Sequence, residues 1–148
     1  MTQWPDLAGR IQDGLHVLPV RVYYEDTDFT GIVYHGAFVR FFERGRSDML
    51  RLAGIHHADL RDAGESGLAF AVRGMDLEFL KPATIDDVLT VHTRLVDHRG
   101  ARIELAQEIR RGEEPIARAQ VRVAVITMRG RPTRLPKALE ARLQRLSV

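Results

Sequence analysis

Four long stretches rich in β-forming residues, about 68–81, 87–98, 101–111 and 116–128, follow one another with joints too short to hold a helical crossover. The connections HRGA and RGEEP permit only tight reversals, so the spacing predicts antiparallel pairing in a meander. Alternation is clearest in the last two stretches. Ile103, Leu105 and Ile109 oppose Arg102, Glu104, Glu108 and Arg110, and Val121, Val123 and Val125 oppose Arg118, Gln120 and Arg122. Such strands have one dry face and one wet face. A further strand is expected over 18–24, LPVRVYY, with Val20, Val22 and Tyr24 on one side and Arg21 and Tyr23 on the other.

Between that strand and the others the period changes to 3.6. Over 36–52, Phe38, Phe41, Phe42, Gly45, Met49 and Leu52 share one face, while Arg40, Glu43, Arg44, Arg46, Asp48 and Arg51 lie mainly on the other. Gly45 inside the apolar stripe lowers helix propensity by about 1 kcal/mol, which points to a close approach of the helix to a sheet. A short helix is expected in HHADLRDAG, where His56 and His57 read as surface or capping residues, and a last amphipathic helix over 136–146, carrying Leu139, Leu143 and Leu146. The prediction is an α+β domain spanning 1–148, its core about 18–130, in which a roughly five-stranded antiparallel sheet wraps one long helix. One helix covers one sheet face only, so a second subunit is expected over the rest.

Composition narrows the chemistry. The chain has 148 residues and no cysteine, which removes disulfides, thiolate metal sites and a cysteine nucleophile together. Its start shows no basic segment followed by an apolar run, and no stretch of about 18 apolar residues occurs, so the expectation is a cytoplasmic protein without membrane insertion. The net charge of +2 divides unevenly, with the basic excess after residue 98, but no nucleic-acid-binding module accompanies it.

Functional groups are densest in YYEDTDFTGIVYHGAFVRFFERGR, residues 23–46, at the join of strand and helix. The first helical turn leaves backbone N–H groups unpaired, so the amides around His35 and Gly36 offer a cradle for a polarised carbonyl or an oxyanion. Asp28 lies seven residues before His35. A carboxylate beside a carbonyl held by helix amides is a minimal acyl-transfer site. Asp26 and Asp28 also suit simple turn chemistry. For a metal, Asp-x-Asp and one later histidine supply too few ligands, and none is expected.

The strings Tyr24-Glu25-Asp26-Thr27-Asp28, Gly31-Ile32-Val33-Tyr34-His35 and Phe42-Glu43-Arg44-Gly45-Arg46 resemble the signature of hotdog-fold acyl-CoA thioesterases of the 4-hydroxybenzoyl-CoA thioesterase class. They are most similar to the branch named for the bacterial Tol-Pal system. Phe79-Leu80-Lys81-Pro82-Ala83 and Asp86-Asp87 extend the likeness. The resemblance implies that Asp28 is the catalytic carboxylate, that His35 lies beside it, and that the backbone amide at His35 polarises the thioester carbonyl. It implies a helix wrapped by a sheet, and homodimers or homotetramers. Acyl-CoA is then the expected substrate, with acyl carrier protein as an alternative donor, and no cofactor is required.

Asp28 would attack the carbonyl or activate a water, and the sequence leaves both routes open. Tyr34 is expected to line the acyl site. CoA carries phosphates, and Arg129, Arg131 and Arg134 in MRGRPTRLP are the candidate contacts. Two other readings stand beside this one: a hotdog-fold hydratase, disfavoured by the Asp28–His35 spacing and the lack of an Asn-Pro pair, and a non-catalytic acyl-CoA or carrier-protein binding module at the cell envelope. The last helix could alternatively lie on a membrane surface.

Overall fold

The first reversal of the chain is made by Asp13 and Gly14, both at positive φ, 53° and 77°. Two left-handed residues in a two-residue loop form the turn type whose twist suits a hairpin. It joins β1 (Arg10–Gln12) to β2 (Leu15–Arg21), with Gln12 opposite Leu15. The expected first strand is therefore corrected at both ends. It starts at Leu15 and stops at Arg21, and Tyr24, expected to face inward, instead opens a 3-10 turn (Tyr24–Asp26) and is 78% exposed.

The computed structural model describes residues 7–64 and 66–147; residues 1–6, on which part of the leader reading rests, lie outside them. After the turn come α1 (His35–Leu52), α2 (His57–Arg61), β3 (Leu68–Phe79), β4 (Val88–Arg99), β5 (Arg102–Arg111), β6 (Glu114–Thr127) and α3 (Lys137–Gln144). The described strands form one six-stranded sheet in the order β1-β2-β4-β5-β6-β3, antiparallel throughout. With α1 packed against it, this is the hotdog fold. The meander holds for β4, β5 and β6 but not for β3. The free edge of β4 is taken by β2, Arg21 opposite Val88, so β3 pairs with β6 at the far edge. Residues 80–87 must then cross the sheet, and they cross beneath the start of α1.

Ala37, Phe38, Phe41, Phe42, Gly45 and Met49 turn the buried face of α1 to the sheet. Each large side chain so covered contributes about 1.5–3 kcal/mol. A Cβ on Gly45 would stand 2.7 Å from Val91 Cγ1 and 3.0 Å from Thr93 Oγ1, which confirms the close approach. Three positions depart from the helical periodicity. Leu52 is 41% exposed at the helix end, while Arg46 and Asp48, expected on the wet side, are buried. Asp48 Oδ2 accepts from the Gly9 amide and meets His16 Nε2, each at 2.7 Å, in a buried pair that the sequence did not disclose.

Leu135, Leu139, Leu143 and Leu146 are buried in the same core, so the apolar face of the last helix is committed to the protein. No described helix is long and apolar enough to cross a membrane. Crowding at the α1–sheet contact generates a test. Gly45→Ala is expected to lower the unfolding free energy by about 1–3 kcal/mol, read from urea denaturation, because the added methyl must push the helix off Val91.

Candidate active site

The chain reaches α1 through a tight loop. Thr27 and Val33 pair as an antiparallel bridge, the Asp28 amide donates to the Ile32 carbonyl (2.9 Å), and the Gly31 amide donates to the Asp28 carbonyl (3.1 Å). Segment 26–28 is thus laid back along 32–34, and Asp28 returns to the level of Ile32, roughly 10 Å of backbone from the first helical residue. The crossing segment fixes this loop from below. Val33 N donates to the Ala83 carbonyl (2.9 Å) and Ile85 N to the Gly31 carbonyl (3.2 Å), while Val22 and residues 86–87 exchange two further bonds of 2.8 and 2.9 Å. Asp87 holds the crossing itself, accepting from the Thr84 amide and from Arg111, both at 2.9 Å.

The two aspartates of Asp-Thr-Asp have separate environments. Asp26 is buried and its Oδ2 accepts from the Tyr23 amide at 2.9 Å, closing the 3-10 turn, so turn chemistry accounts for it. Asp28 is exposed. Its Oδ1 accepts from both the amide (2.8 Å) and the hydroxyl of Thr30, and those bonds, the hydroxyl's first, hold the carboxyl below its ordinary value of 3.8. No described residue donates to Oδ2. The carboxylate is ionised at neutral pH with one oxygen tied into a turn and the other open.

Tyr34 precedes α1 and provides no side-chain cap for it. Its hydroxyl accepts from Arg40 Nη1, whose guanidinium lies 5.4 Å from the Tyr34 ring centre and reaches Asp26 Oδ1 at 3.6 Å. The ring leans over the helix start, where a Cβ on Gly36 would stand 2.6 Å from its Cε2, so any side chain there would have to displace the Tyr34 ring. His35 is exposed, with its ring 4.7 Å from that of Phe79. Asp28, Tyr34, His35 and Gly36 therefore share one corner, although Asp28 and His35 make no direct bond. Among the described residues no three or more histidine or carboxylate side chains gather as a metal site.

Arg129 and Arg131 are elsewhere. They lie on the exposed turn after β6, closed by the Thr127 amide donating to the Arg131 carbonyl at 2.8 Å. In the β3–β6 register Thr127 faces Leu68 and Ala117 faces Phe79, so this turn and His35 are at opposite ends of β3, roughly 30 Å apart within one chain. Sequence reasoning missed Thr30, Arg40 and Phe79. The first follows Asp28 at the spacing of an Asx turn, a readable signal. The other two are tertiary partners with no local signature.

The profile of the thioesterase-like superfamily matches residues 22–143, which takes in the loop, the helix and the whole β4–β6 meander. The chain belongs to this superfamily. It is 39% identical over 125 residues to the acyl-CoA thioester hydrolase YbgC of Escherichia coli O157:H7, covering 83% of this chain and 91% of that one. To the acyl-CoA thioesterase YbgC of Haemophilus influenzae it is 36% identical over 129 residues, covering 86% and 93%. A probable thioesterase from Bartonella henselae superposes with a TM-score of 0.78 at 44% identity, covering 82% of this chain and 99% of that one.

An open carboxylate oxygen and uncapped helix amides are the two kinds of group that acyl transfer asks for, a nucleophile or base and a carbonyl-polarising donor. Because the Thr30 bonds depress the Asp28 pKa, the acid limb of kcat/KM is expected below pH 3.8, or masked by acid unfolding. Thr30→Val removes the hydroxyl and should move that limb upward. A pH–rate profile unchanged in the variant would show that Asp28 does not set the limb.

Proposed function

We propose that this chain is an acyl-CoA thioesterase, with Asp28 as the catalytic carboxylate and the backbone amide at His35 polarising the thioester carbonyl. The observation that carries the reading is the open, ionised carboxylate of Asp28 on a loop pinned at the uncapped start of α1. The names of the YbgC relatives support the substrate class. In the nucleophilic route Asp28 adds to the carbonyl carbon, the C–S bond breaks, CoA leaves as thiolate, and water hydrolyses the acyl–aspartyl anhydride. In the general-base route a water adds while Asp28 takes its proton, and the same bond breaks. A thiolate is a weakly basic leaving group, so little general-acid help is needed. His35, steadied by Phe79, orients the thioester, and Tyr34 lines the acyl side.

The reading includes a homodimer, joined through the open edge of β3 and able to pair further into a tetramer. Two β3 strands paired antiparallel would bring the Leu68 end of one chain beside the Phe79 end of the other. The Arg129–Arg131 turn of one copy would then approach His35 of the other, where it can meet the CoA phosphates. An acyl carrier protein is the alternative thioester donor, and a role beside the Tol-Pal system follows from the resemblance of the loop motif.

Thiol release from short-chain, long-chain and aromatic acyl-CoA is the decisive assay. Turnover of at least one substrate is expected, falling by about 100-fold or more in folded Asp28→Asn. Native-like activity in the variant would reduce Asp28 to a turn residue. No turnover of any CoA or carrier-protein thioester by the parent would favour the binding-module reading instead.

A further inference from the structure

A helix ordinarily begins with a side chain that accepts from one of its first amides and fixes the angle at which the chain enters. At the start of α1 that position is held by Tyr34, whose backbone is extended (φ −84°, ψ 161°) and whose side chain makes no capping bond. A capping oxygen would sit where the thioester carbonyl is proposed to bind. The entry of the chain and the freedom of the amides must therefore be secured by different means.

Arg40 supplies the fastening. It lies on the second turn of α1, and its guanidinium reaches back to the residue before the helix: Nη1 donates to the Tyr34 hydroxyl, and the group lies 5.4 Å from the Tyr34 ring centre. Nη2 stands 3.6 Å from Oδ1 of Asp26, a carboxylate on a residue only 3% exposed. Asp26 in turn holds the incoming arm of the loop, accepting from the Tyr23 amide at Oδ2 (2.9 Å) and from the Tyr34 amide at its carbonyl (3.3 Å). One cation thus joins the helix, the residue that starts it and the arm that leads to Asp28. Among the described residues no other side chain of α1 makes a hydrogen bond or ion pair with residues 23–34.

Helix stability does not account for this placement, because a cation at the start of a helix opposes the positive end of its dipole. The other fastenings of the loop lie on the sheet side, where the Val33 amide donates to Ala83 and the Ile85 amide to Gly31. They tie the loop to the crossing segment. Its relation to α1 rests on the chain at Tyr34 and on Arg40. That relation is what chemistry at this corner needs, since Asp28 rides on the loop and the uncapped amides ride on the helix. A shift of about 1 Å between reacting groups can cost about 100-fold in rate.

We infer that Arg40 is a positioning residue: through Tyr34 and Asp26 it holds the Asp28 loop against the start of α1 and leaves the first amides open. The kinetic consequence rests on the proposed function and the structural one does not, so the two readings can fail separately. A guanidinium has five N–H donors and CoA is an anion, so direct contact with substrate is the competing role. Kinetics tell the two apart.

Arg40→Met is the first test. The side chain is 45% exposed, so its replacement leaves the core intact. In the folded variant, kcat for the best acyl-CoA is expected to fall about 10-fold with KM held within about twofold, because geometry is lost and binding is not. Tyr34→Phe removes the acceptor but keeps the ring and should also lower kcat, and R40M/Y34F should fall no further than the worse single variant. Hydrogen exchange gives a readout that needs no turnover. The amides of Asp28 and Gly31, bonded to the Ile32 and Asp28 carbonyls, should exchange at least about 10-fold faster in Arg40→Met, while those of Phe41 and Phe42 keep their protection. A raised KM at unchanged kcat would assign Arg40 to substrate binding, and multiplied losses in the double variant would show that it acts apart from Tyr34. Unchanged exchange in the loop, or an equal rise throughout α1, would show that it holds nothing in place. Each of these results overturns the inference, and if the parent hydrolyses no thioester the exchange result decides alone.

Discussion

The close contact of α1 with the sheet at Gly45 sets the height at which everything else is built. With only hydrogen at that Cα, the helix settles onto Val91 and Thr93, near enough for Gln107 to donate to the Phe42 carbonyl at 2.9 Å from a neighbouring strand. Gln107 also donates to Thr93 and accepts from Arg46, so one amide links the helix backbone, a strand hydroxyl and a helix cation. A polar network in a dry core fixes position only when its members are satisfied. Here the helix can neither slide nor rotate without leaving the Gln107 amide unpaired in the core.

Because α1 is fixed, its first turn is fixed, and the loop before it can be held to close tolerance by few bonds. Those bonds come from the segment that crosses between β3 and β4. The crossing follows from strand order: β2 occupies the edge that β3 would need for a simple hairpin with β4. Passing under the helix start, residues 83–87 bond to Val22, Gly31 and Val33 and so tie strand, loop and helix together. The strand order that defeats the simple meander thereby supplies the floor of the candidate site.

Much of this was legible in the residues, and the failures have local causes. The long helix, the β4–β6 meander and the reason for Gly45 follow from periodicity, because each depends on neighbours in sequence. The position of β3 does not, since strand order is decided by which edges remain open after other strands pair. Tyr24 was misplaced because alternation says nothing about where a strand yields to a turn; the Asp13-Gly14 reversal upstream, a strong hairpin signal, would have shifted the frame. Arg46 and Asp48 were assigned to water by helical period alone, whereas their burial depends on Gln107 and His16, more than thirty residues away. At the site, the loop motif located Asp28, Tyr34, His35 and Gly36 in one corner, but the separation of Arg129 and Arg131 from it is a matter of register across β3 and β6.

The Thr30 bonds to Asp28 bear on how catalysis would be divided. They keep the carboxylate charged and aimed, but a carboxylate stabilised by two donors is a weaker base and a weaker nucleophile than a free one. On the proposed mechanism the deficit must be made up at the carbonyl. The uncapped start of α1 is suited to that, because its amides are already oriented and the oxyanion develops where they point. A thioester also asks less of its attacking group than an ester or amide, since the departing thiolate is stable. The combination of a tamed carboxylate and a strong carbonyl-polarising group therefore fits thioesters better than oxygen esters, and it serves the nucleophilic and the general-base route alike.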